Sequence, residues 1–459
     1  MIKIETTKSD GMPSDLAETT MPSLLDDVPI SLFHIRLAAC ASGGAFIDGY
    51  VLAIFGVAMV QIGPEFALSA AAKGAVAAMV LLGVFFGGFI GGYLTDRFGR
   101  QRIYKWDLAA ISALSIASFF VEGAFSLIIM RLLVGLAVGI DYPIAPALLT
   151  EFSPKRLRGP LLGVLISLFF VGGAAAYVTG EIMLSTIGDG AWRWMLASTA
   201  VPAAIIAVMR IGTPESPLWL ARNGRVEEAN SVMAKVFGPG VRVDESPAEA
   251  RAGGGLFAVV KAGYVGRLLF VTAIWICLII PVYAIFAFGP QLVGAMHLEG
   301  RASTLGSAAI ELFFAVGCVI ALLLVNRVGR RTMTIQSFAW AAIPMLLLAI
   351  FSDAPAIWAA VLFAAYALFS GGMEVMSFVY PNELFPTELR GSAMGIVTAL
   401  SRFGAAVGTF LVPISLENFG ISTTMYGAFA ITVVGLVISA MWAPETRNMS
   451  LAETSSLSH

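Results

Sequence analysis

Twelve runs of predominantly apolar residues, at 32–61, 72–94, 104–124, 126–149, 160–182, 193–212, 268–292, 303–325, 332–352, 355–379, 391–414 and 422–442, fill most of this 459-residue chain. About 20 such residues are what a helix needs to cross the hydrocarbon core of a bilayer. Within lipid a spanning segment must satisfy its own backbone hydrogen bonds, which leaves runs of this length little choice but helix. With 58% hydrophobic and only 13% charged residues, the chain lacks the polar surface to fold in water. The fold expected is an all-α membrane protein of twelve transmembrane helices, numbered here as spans 1 to 12.

Six spans fall in each half, and the halves repeat. Glu151-Phe152-Ser153-Pro154-Lys155-Arg156-Leu157-Arg158-Gly159 and Glu383-Leu384-Phe385-Pro386-Thr387-Glu388-Leu389-Arg390-Gly391 share the pattern E-x-x-P-x-x-L-R-G. Asp96-Arg97-Phe98-Gly99-Arg100 answers to Asn326-Arg327-Val328-Gly329-Arg330, and Thr213-Pro214-Glu215-Ser216 to Ala443-Pro444-Glu445-Thr446. Polar motifs repeated between long apolar runs are the mark of a transporter built from two parallel halves. The organisation expected is a tail over 1–31, a six-helix half over 32–212, a linker over 213–267, a second six-helix half over 268–443 and a tail over 444–459.

The basic residues set the orientation. Arg97, Arg100, Arg102 and Lys105, then Lys155, Arg156 and Arg158, then Arg327, Arg330 and Arg331, and finally Arg390 all follow even-numbered spans. The positive-inside rule puts these loops, and with them both termini, in the cytoplasm, in an inner or plasma membrane. The first 31 residues are polar and acidic, without the basic start and short apolar core of a cleavable signal, and are expected to be disordered. Within the linker, 217–229 reads as short amphipathic helices at the membrane surface, followed by a Gly/Pro/acid-rich stretch through Gly255. It is too short for a catalytic domain. A net charge of −2 without basic tracts gives no sign of a nucleic-acid partner, and a monomer is expected.

Function is sought in charges that the bilayer penalises. An ionisable group at membrane depth costs several kcal/mol unless it is paired or faces a wet cavity. Six stand out: Asp48 in span 1, Arg131 and Asp141 in span 4, Glu311 in span 8, Glu374 in span 10 and Arg402 in span 11. At ~1.5 Å per residue, Asp141 lies roughly 15 Å from Glu151 and Arg402 roughly 16 Å from Gly391, both near the midplane. Asp141 and Glu374 fall at nearly equal depth in spans 4 and 10, as if facing one cavity. Four acids against two arginines suit a protein that carries protons, since desolvated carboxyl groups hold protons more tightly.

In combination, Gly92-x-x-x-Asp96-Arg97-x-Gly99-Arg100-x-Arg102, Pro214-Glu215-Ser216-Pro217 and Pro444-Glu445-Thr446 resemble the major facilitator superfamily, in its sugar-porter and metabolite:proton symporter branch. The resemblance spans residues 32–447 and implies secondary active transport by alternating access, with the proton gradient as driving force and no cofactor. Gly92, Asp96, Arg97, Gly99, Arg100, Glu151, Arg158, Glu383 and Arg390 then form charged gates at the helix ends, although these residues also suit plain topology-setting loops. With Asn326 in place of Asp96 and Leu322 in place of Gly92, the second half is expected to lack the full latch. In sugar:proton symporters a span 1 aspartate and a span 4 arginine form the coupling pair. Arg131 matches the arginine, whereas Asp48-Gly49-Tyr50 is followed by Val51 where relatives of the aromatic-acid branch carry a second acid. Asp48, Arg131 and Asp141 are the expected coupling residues. Plainer readings are a helix bend at Gly49 for Asp48 and snorkelling for Arg131.

Substrate class divides on amides and charge. Hexose porters carry a glutamine in span 5 and a Gln-Gln pair in span 7, yet span 5 reads Ser167-Leu168-Phe169-Phe170-Val171-Gly172-Gly173 and span 7 reads Ile274-Trp275-Ile276-Cys277-Leu278-Ile279-Ile280-Pro281. Arg402 resembles the span 11 arginine of organic-ion and aromatic-acid transporters, and a planar guanidinium suits a carboxylate. The expected substrate is a small organic, possibly aromatic, acid bound by Arg402, Glu374, Glu311, Tyr283 and Tyr380; a sugar, or proton-driven export, is the alternative. Glu374 also has a plain role as counterion to Arg402. No C-x-x-C or histidine cluster supports a metal site, and Cys40, Cys277 and Cys318 suggest no disulfide. Nothing assembles a nucleophile and base, so an enzyme is not expected.

Overall fold

A computed structural model describes residues 31–153, 155–238, 256–447 and 449. All but the last residue of the tail expected over 1–31, the linker stretch 239–255, nearly all of 448–459 and the side chains of residues 150, 155–158, 256–258 and 387–388, among them the expected gate residue Arg158, lie outside the described residues. Spans 1 to 10 are Leu32–Glu65, Ala70–Phe98, Arg100–Phe120, Ala124–Leu149, Gly159–Ile187, Ala191–Met209, Val265–Gly294, Arg301–Val328, Arg330–Ile350 and Ala356–Leu384. The last helix, Leu389–Trp442, has 54 residues, far more than one crossing uses. It turns at Gly420, whose φ of 79° breaks the helical path, so 389–419 is span 11 and 421–442 is span 12. The structure thus contains the twelve spans expected, and no strand among the described residues.

Packing follows the repeat. Span 1 lies on span 5 and span 7 on span 11; span 2 lies on span 4 and span 8 on span 10. The halves meet along three seams: span 2 with span 11, span 5 with span 8, and span 1 with span 7. Without a hydrophobic drive between helices in lipid, association depends on close backbone approach. At Gly135 a Cβ would run into the Val80 carbonyl of span 2, so glycine there sets the helix separation.

Two breaks position the centre. The hydrogen-bond ladder of span 4 is interrupted between Asp141 and Ile144, where Pro143 has no N–H to continue it, although Tyr142 and Pro143 keep helical dihedrals. Span 7 leaves helical geometry at Phe288 (φ −136°, ψ 20°), just ahead of Pro290. Interrupted helices at membrane depth persist where they border a cavity or are buried in protein. In the linker, Pro217–Arg222 is capped by Ser216, whose Oγ accepts from Trp219 N at 3.1 Å, and Val226–Phe237 buries Ala229 and Met233 against Leu220.

Candidate functional site

Arg402 occupies the middle of the molecule, 4% exposed, and reaches from the second half to the first. Its Nη2 donates to Tyr142 Oη at 2.7 Å, and its guanidinium lies over the rings of Tyr142 (4.7 Å) and Tyr283 (5.2 Å). Nε and Nη1 are buried and have no hydrogen-bond partner among the described residues. Buried guanidinium N–H groups left open this way are costly unless a ligand or water takes them. The break at Pro143 is what sets Tyr142 facing this centre. Phe169 of span 5 packs against Tyr283, extending the aromatic wall.

Two acids act on Arg402 without pairing directly. Glu374 feels Arg402 as its principal charge, yet no ion pair joins them among the described residues. Asp48 is buried with one carboxyl oxygen unpartnered, and the charges acting on it are Asp141, Arg210 and Arg402.

Asp141 is held elsewhere. Arg210, at the end of span 6, grips it with two hydrogen bonds (3.0 and 2.8 Å) and also donates to Asp107 of span 3 (3.0 and 3.1 Å), with its guanidinium 3.6 Å from the Tyr104 ring centroid. All three side chains are out of contact with solvent or nearly so. Gly44, one turn from Asp48, lies directly on the Asp141–Arg210 pair. Asp107 and Arg210 are site residues that the sequence reading passed over. Each lies near the end of an apolar run, where a charge is ordinarily solvated; the signal that marks them is that one acid and one arginine at such ends share a depth. Asp141 and Glu374 therefore do not face one cavity as expected: Asp141 is satisfied within the first half.

Arg131 does not meet Asp48. It is 5% exposed, lies 4.0 Å from the Phe55 ring centroid, and donates only a long 3.4 Å bond to the Val51 carbonyl, with Nε unpartnered. Glu311 is fully buried with both carboxyl oxygens unpartnered, packed against Gly173 of span 5. Tyr380, expected to line the substrate cavity, instead donates to the Pro444 carbonyl at 3.0 Å at the basic end, where it braces the exit from span 12. Its hydroxyl is committed there.

At the basic end the charged network expected of the loop residues runs through some of them and not through Asp96 or Arg97. Arg97 donates to Tyr93 at 2.9 Å, and Asp96 is exposed. Arg100 pairs with Glu151, Ser216 Oγ donates to Glu151 at 2.5 Å, and Glu215 accepts from the backbone N–H groups of Arg100 (2.9 Å) and Gln101 (3.1 Å). The second half repeats this: Arg330 pairs with Glu383 at 2.8 Å, Thr446 donates to Glu383, and Glu445 accepts from Arg330 N at 2.9 Å. The expectation that the second half lacks the latch is thus corrected. The network runs through Arg100 and Arg330, the arginine that follows the turn glycine in each copy, and Arg330 Nη1 even donates to Asn326 at 3.3 Å. Gly99 and Gly329, both at φ 93°, make the turns that bring each loop's N–H groups onto Glu215 and Glu445. Glu215 and Glu445, not among the expected gate residues, complete the networks of Arg100 with Glu151 and Arg330 with Glu383. Arg390 lies half-buried at the start of span 11.

Comparison with known proteins gives a consistent picture. The chain matches the family described as sugar (and other) transporter over residues 37–457. It is 42% identical to the putative metabolite transport protein YaaU of Escherichia coli (strain K12), covering 94% of this chain and 97% of that protein. It is 34% identical to the inner membrane metabolite transport protein YgcS of the same organism, over 94% and 96%. The arabinose-proton symporter of Bacillus subtilis (strain 168) is 29% identical, over 96% and 99%. Among solved structures, the proton:xylose symporter XylE bound to 6-bromo-6-deoxy-D-glucose superposes with a TM-score of 0.77 at 20% identity, covering 92% of this chain and 98% of that one.

Proposed function

Because the chain belongs to the sugar (and other) transporter family of the major facilitator superfamily, and is a membrane transporter rather than an enzyme, we propose that it is a proton-coupled symporter of a small organic acid. The observation that carries this reading is Arg402: a midplane guanidinium with two open N–H donors, stacked between tyrosines and spanning both halves. A carboxylate accepts from such a fork in two parallel bonds, and the aromatic wall of Tyr142, Tyr283 and Phe169 suits a flat apolar body. Glu374 and Asp48 set the charge that this carboxylate meets.

Coupling follows from the same charges. While Asp48 is ionised it offsets part of the positive field of Arg402, so an anion binds weakly; once Asp48 takes a proton, the guanidinium is free for the carboxylate. Proton and substrate then favour each other's binding, which is the reciprocity a symporter needs. Asp141, clamped by Arg210, maintains the negative field that draws the proton to Asp48. Alternating access would break the gates at Arg100–Glu151 and Arg330–Glu383 in turn, with both termini cytoplasmic, as the basic loops favour.

A sugar is the second reading, favoured by relatives named for arabinose, myo-inositol and glucose transport. Uptake of a panel of labelled carboxylates and sugars into proteoliposomes under an imposed pH gradient separates the two. Accumulation of a carboxylate, competed by other carboxylates, is expected. Accumulation of sugars alone would reject the organic-acid assignment, and transport indifferent to the pH gradient would reject symport.

A further inference from the structure

Arg131 is the anomaly of the first half. Its side chain is 5% exposed and meets the Phe55 ring and, at 3.4 Å, the Val51 carbonyl, with no ion pair among the described residues. Span 1 presents Val51, Ile54 and Phe55 to it; span 3 presents Ser115 and Ser118; span 6 presents Leu196 and Thr199. Asp48 is the nearest acid along span 1, and it answers to Arg210 and Arg402 instead. Arginine does not give up its proton inside proteins, so the charge stays. An ion buried without a counterion is among the most costly things a fold can hold.

The same residues enclose a space. Arg131, Val51, Val134 and the hydroxyl-bearing Ser115, Ser118 and Thr199 line a cavity of about 20 Å³. That exceeds the roughly 10–15 Å³ that one water needs, and is far too small for an organic acid. It is lined by a cation and two uncommitted hydroxyls, Ser115 and Thr199, and by no acidic side chain.

We propose that this cavity is a binding site for a small inorganic anion of chloride size, which neutralises Arg131. Weakly basic monatomic anions fit: the donors are one guanidinium and the Ser115 and Thr199 hydroxyls, while Ser118 Oγ already donates to the Leu114 carbonyl at 2.8 Å, so a multiply charged oxyanion would be both too large and too costly to desolvate. The bound ion takes the place that a carboxylate on span 1 would hold if residue 51 were acidic, since Val51 both lines the cavity and supplies the carbonyl that Arg131 reaches. The site is separate from the centre at Arg402 and is independent of the substrate's identity.

The test uses the full-length purified protein, with the anion varied at constant ionic strength and pH. Thermal stability in sodium chloride is compared with sodium gluconate, whose anion cannot enter the cavity, and labelled chloride binding is measured directly. Saturable chloride binding and a melting temperature several degrees higher in chloride are expected. Val51→Asp provides an internal carboxylate beside Arg131, and should abolish chloride binding and make the melting temperature equal in the two salts. Arg131→Met should likewise lose chloride binding; should it fail to fold, Val51→Asp decides alone. Absence of chloride binding by the unmodified protein, as for a cavity holding only water, overturns the proposal, as does undiminished chloride binding by Val51→Asp.

Discussion

A residue's role here depends on what it lacks as much as on what it touches. Arg402 and Arg210 are both buried arginines, but Arg210 has every reason to stay put, with two carboxylates and a tyrosine ring around it, whereas Arg402 keeps two donors open. The first is structural support, and the second is the residue proposed above to meet the substrate. Arg402→Lys keeps the charge and loses the planar fork, so substrate affinity should fall by roughly 1–3 kcal/mol, the range for a charge-assisted hydrogen bond; equilibrium binding of the transported carboxylate measures it, and unchanged affinity would return Arg402 to a packing role. For Asp48 the sign is set by charge: protonation removes a negative charge that competes for Arg402, so substrate should bind more tightly as pH falls. Asp48→Asn, a permanent mimic of the protonated acid, should bind tightly at all pH and lose gradient-driven accumulation while exchange continues; the lost pH effect should be roughly 5–150-fold in affinity, the usual size of a linkage between sites. A variant that still concentrates substrate on the pH gradient would remove Asp48 from the coupling step. The midplane charges were legible in the sequence because the bilayer makes each one conspicuous. Their partners were not: hydropathy reports depth, and it is azimuth around each helix that decides whether Asp141 faces Arg210 or Glu374.

Helices and their loops carry the duplication further than their motifs suggest. Arg100, Glu151, Glu215 and Ser216 in one half and Arg330, Glu383, Glu445 and Thr446 in the other form the same knot, although Asp96 has become Asn326. In each, a loop arginine meets the acid ending an even-numbered span, and the acid after the last span of that half caps the loop's backbone N–H groups. The sequence displayed both copies of every member, but the strongest letter of the motif drew attention to Asp96, which the geometry leaves exposed. Since the knots are alike, removing either should loosen the basic end comparably. Arg100→Ala and Arg330→Ala should each increase labelling of a cysteine placed behind the gate, by similar factors, while Asp96→Asn should change it much less. A large effect of Asp96→Asn with none for Arg330→Ala would show that the two halves are latched differently. The twelve spans themselves were readable to within a few residues at most ends, because a lipid-spanning helix admits little compromise in length or polarity. Only the turn at Gly420 hides a boundary inside one long helix.

For the molecule as a whole, transport requires the two halves to rock against each other along dry seams, and the seam between spans 5 and 8 contains one group that does not belong in a dry seam. At one end of it Arg301 stands 3.9 Å from Glu181; in the middle Phe170 stacks on Phe314 at 4.9 Å; towards the basic end the Leu322 side chain fills the space left by Gly163. Between them Glu311 is buried with both oxygens unpartnered. The groups facing it are Tyr177 from span 5 and Glu374 from span 10, neither of them a cation, and span 7 adds the Phe286 ring. A carboxylate left charged and unpaired in such a place would cost several kcal/mol, so the closed seam requires the neutral acid. Nothing in the sequence could have shown this, because the seam exists only once two halves pack. Opening the seam to water relieves the penalty and lets the proton leave, which ties this acid's ionisation to the rocking motion. Glu311→Gln matches the neutral acid in shape, and should keep the seam closed at alkaline pH, where the unmodified protein opens more readily. Cysteine labelling at Ala315, followed from acidic to alkaline pH without substrate, reads this directly: labelling should rise with pH in an otherwise unmodified background and stay low with Glu311→Gln. Equal pH dependence in the two backgrounds would mean that the seam responds to another group, and labelling insensitive to pH in both would mean that this seam does not sense protons at all.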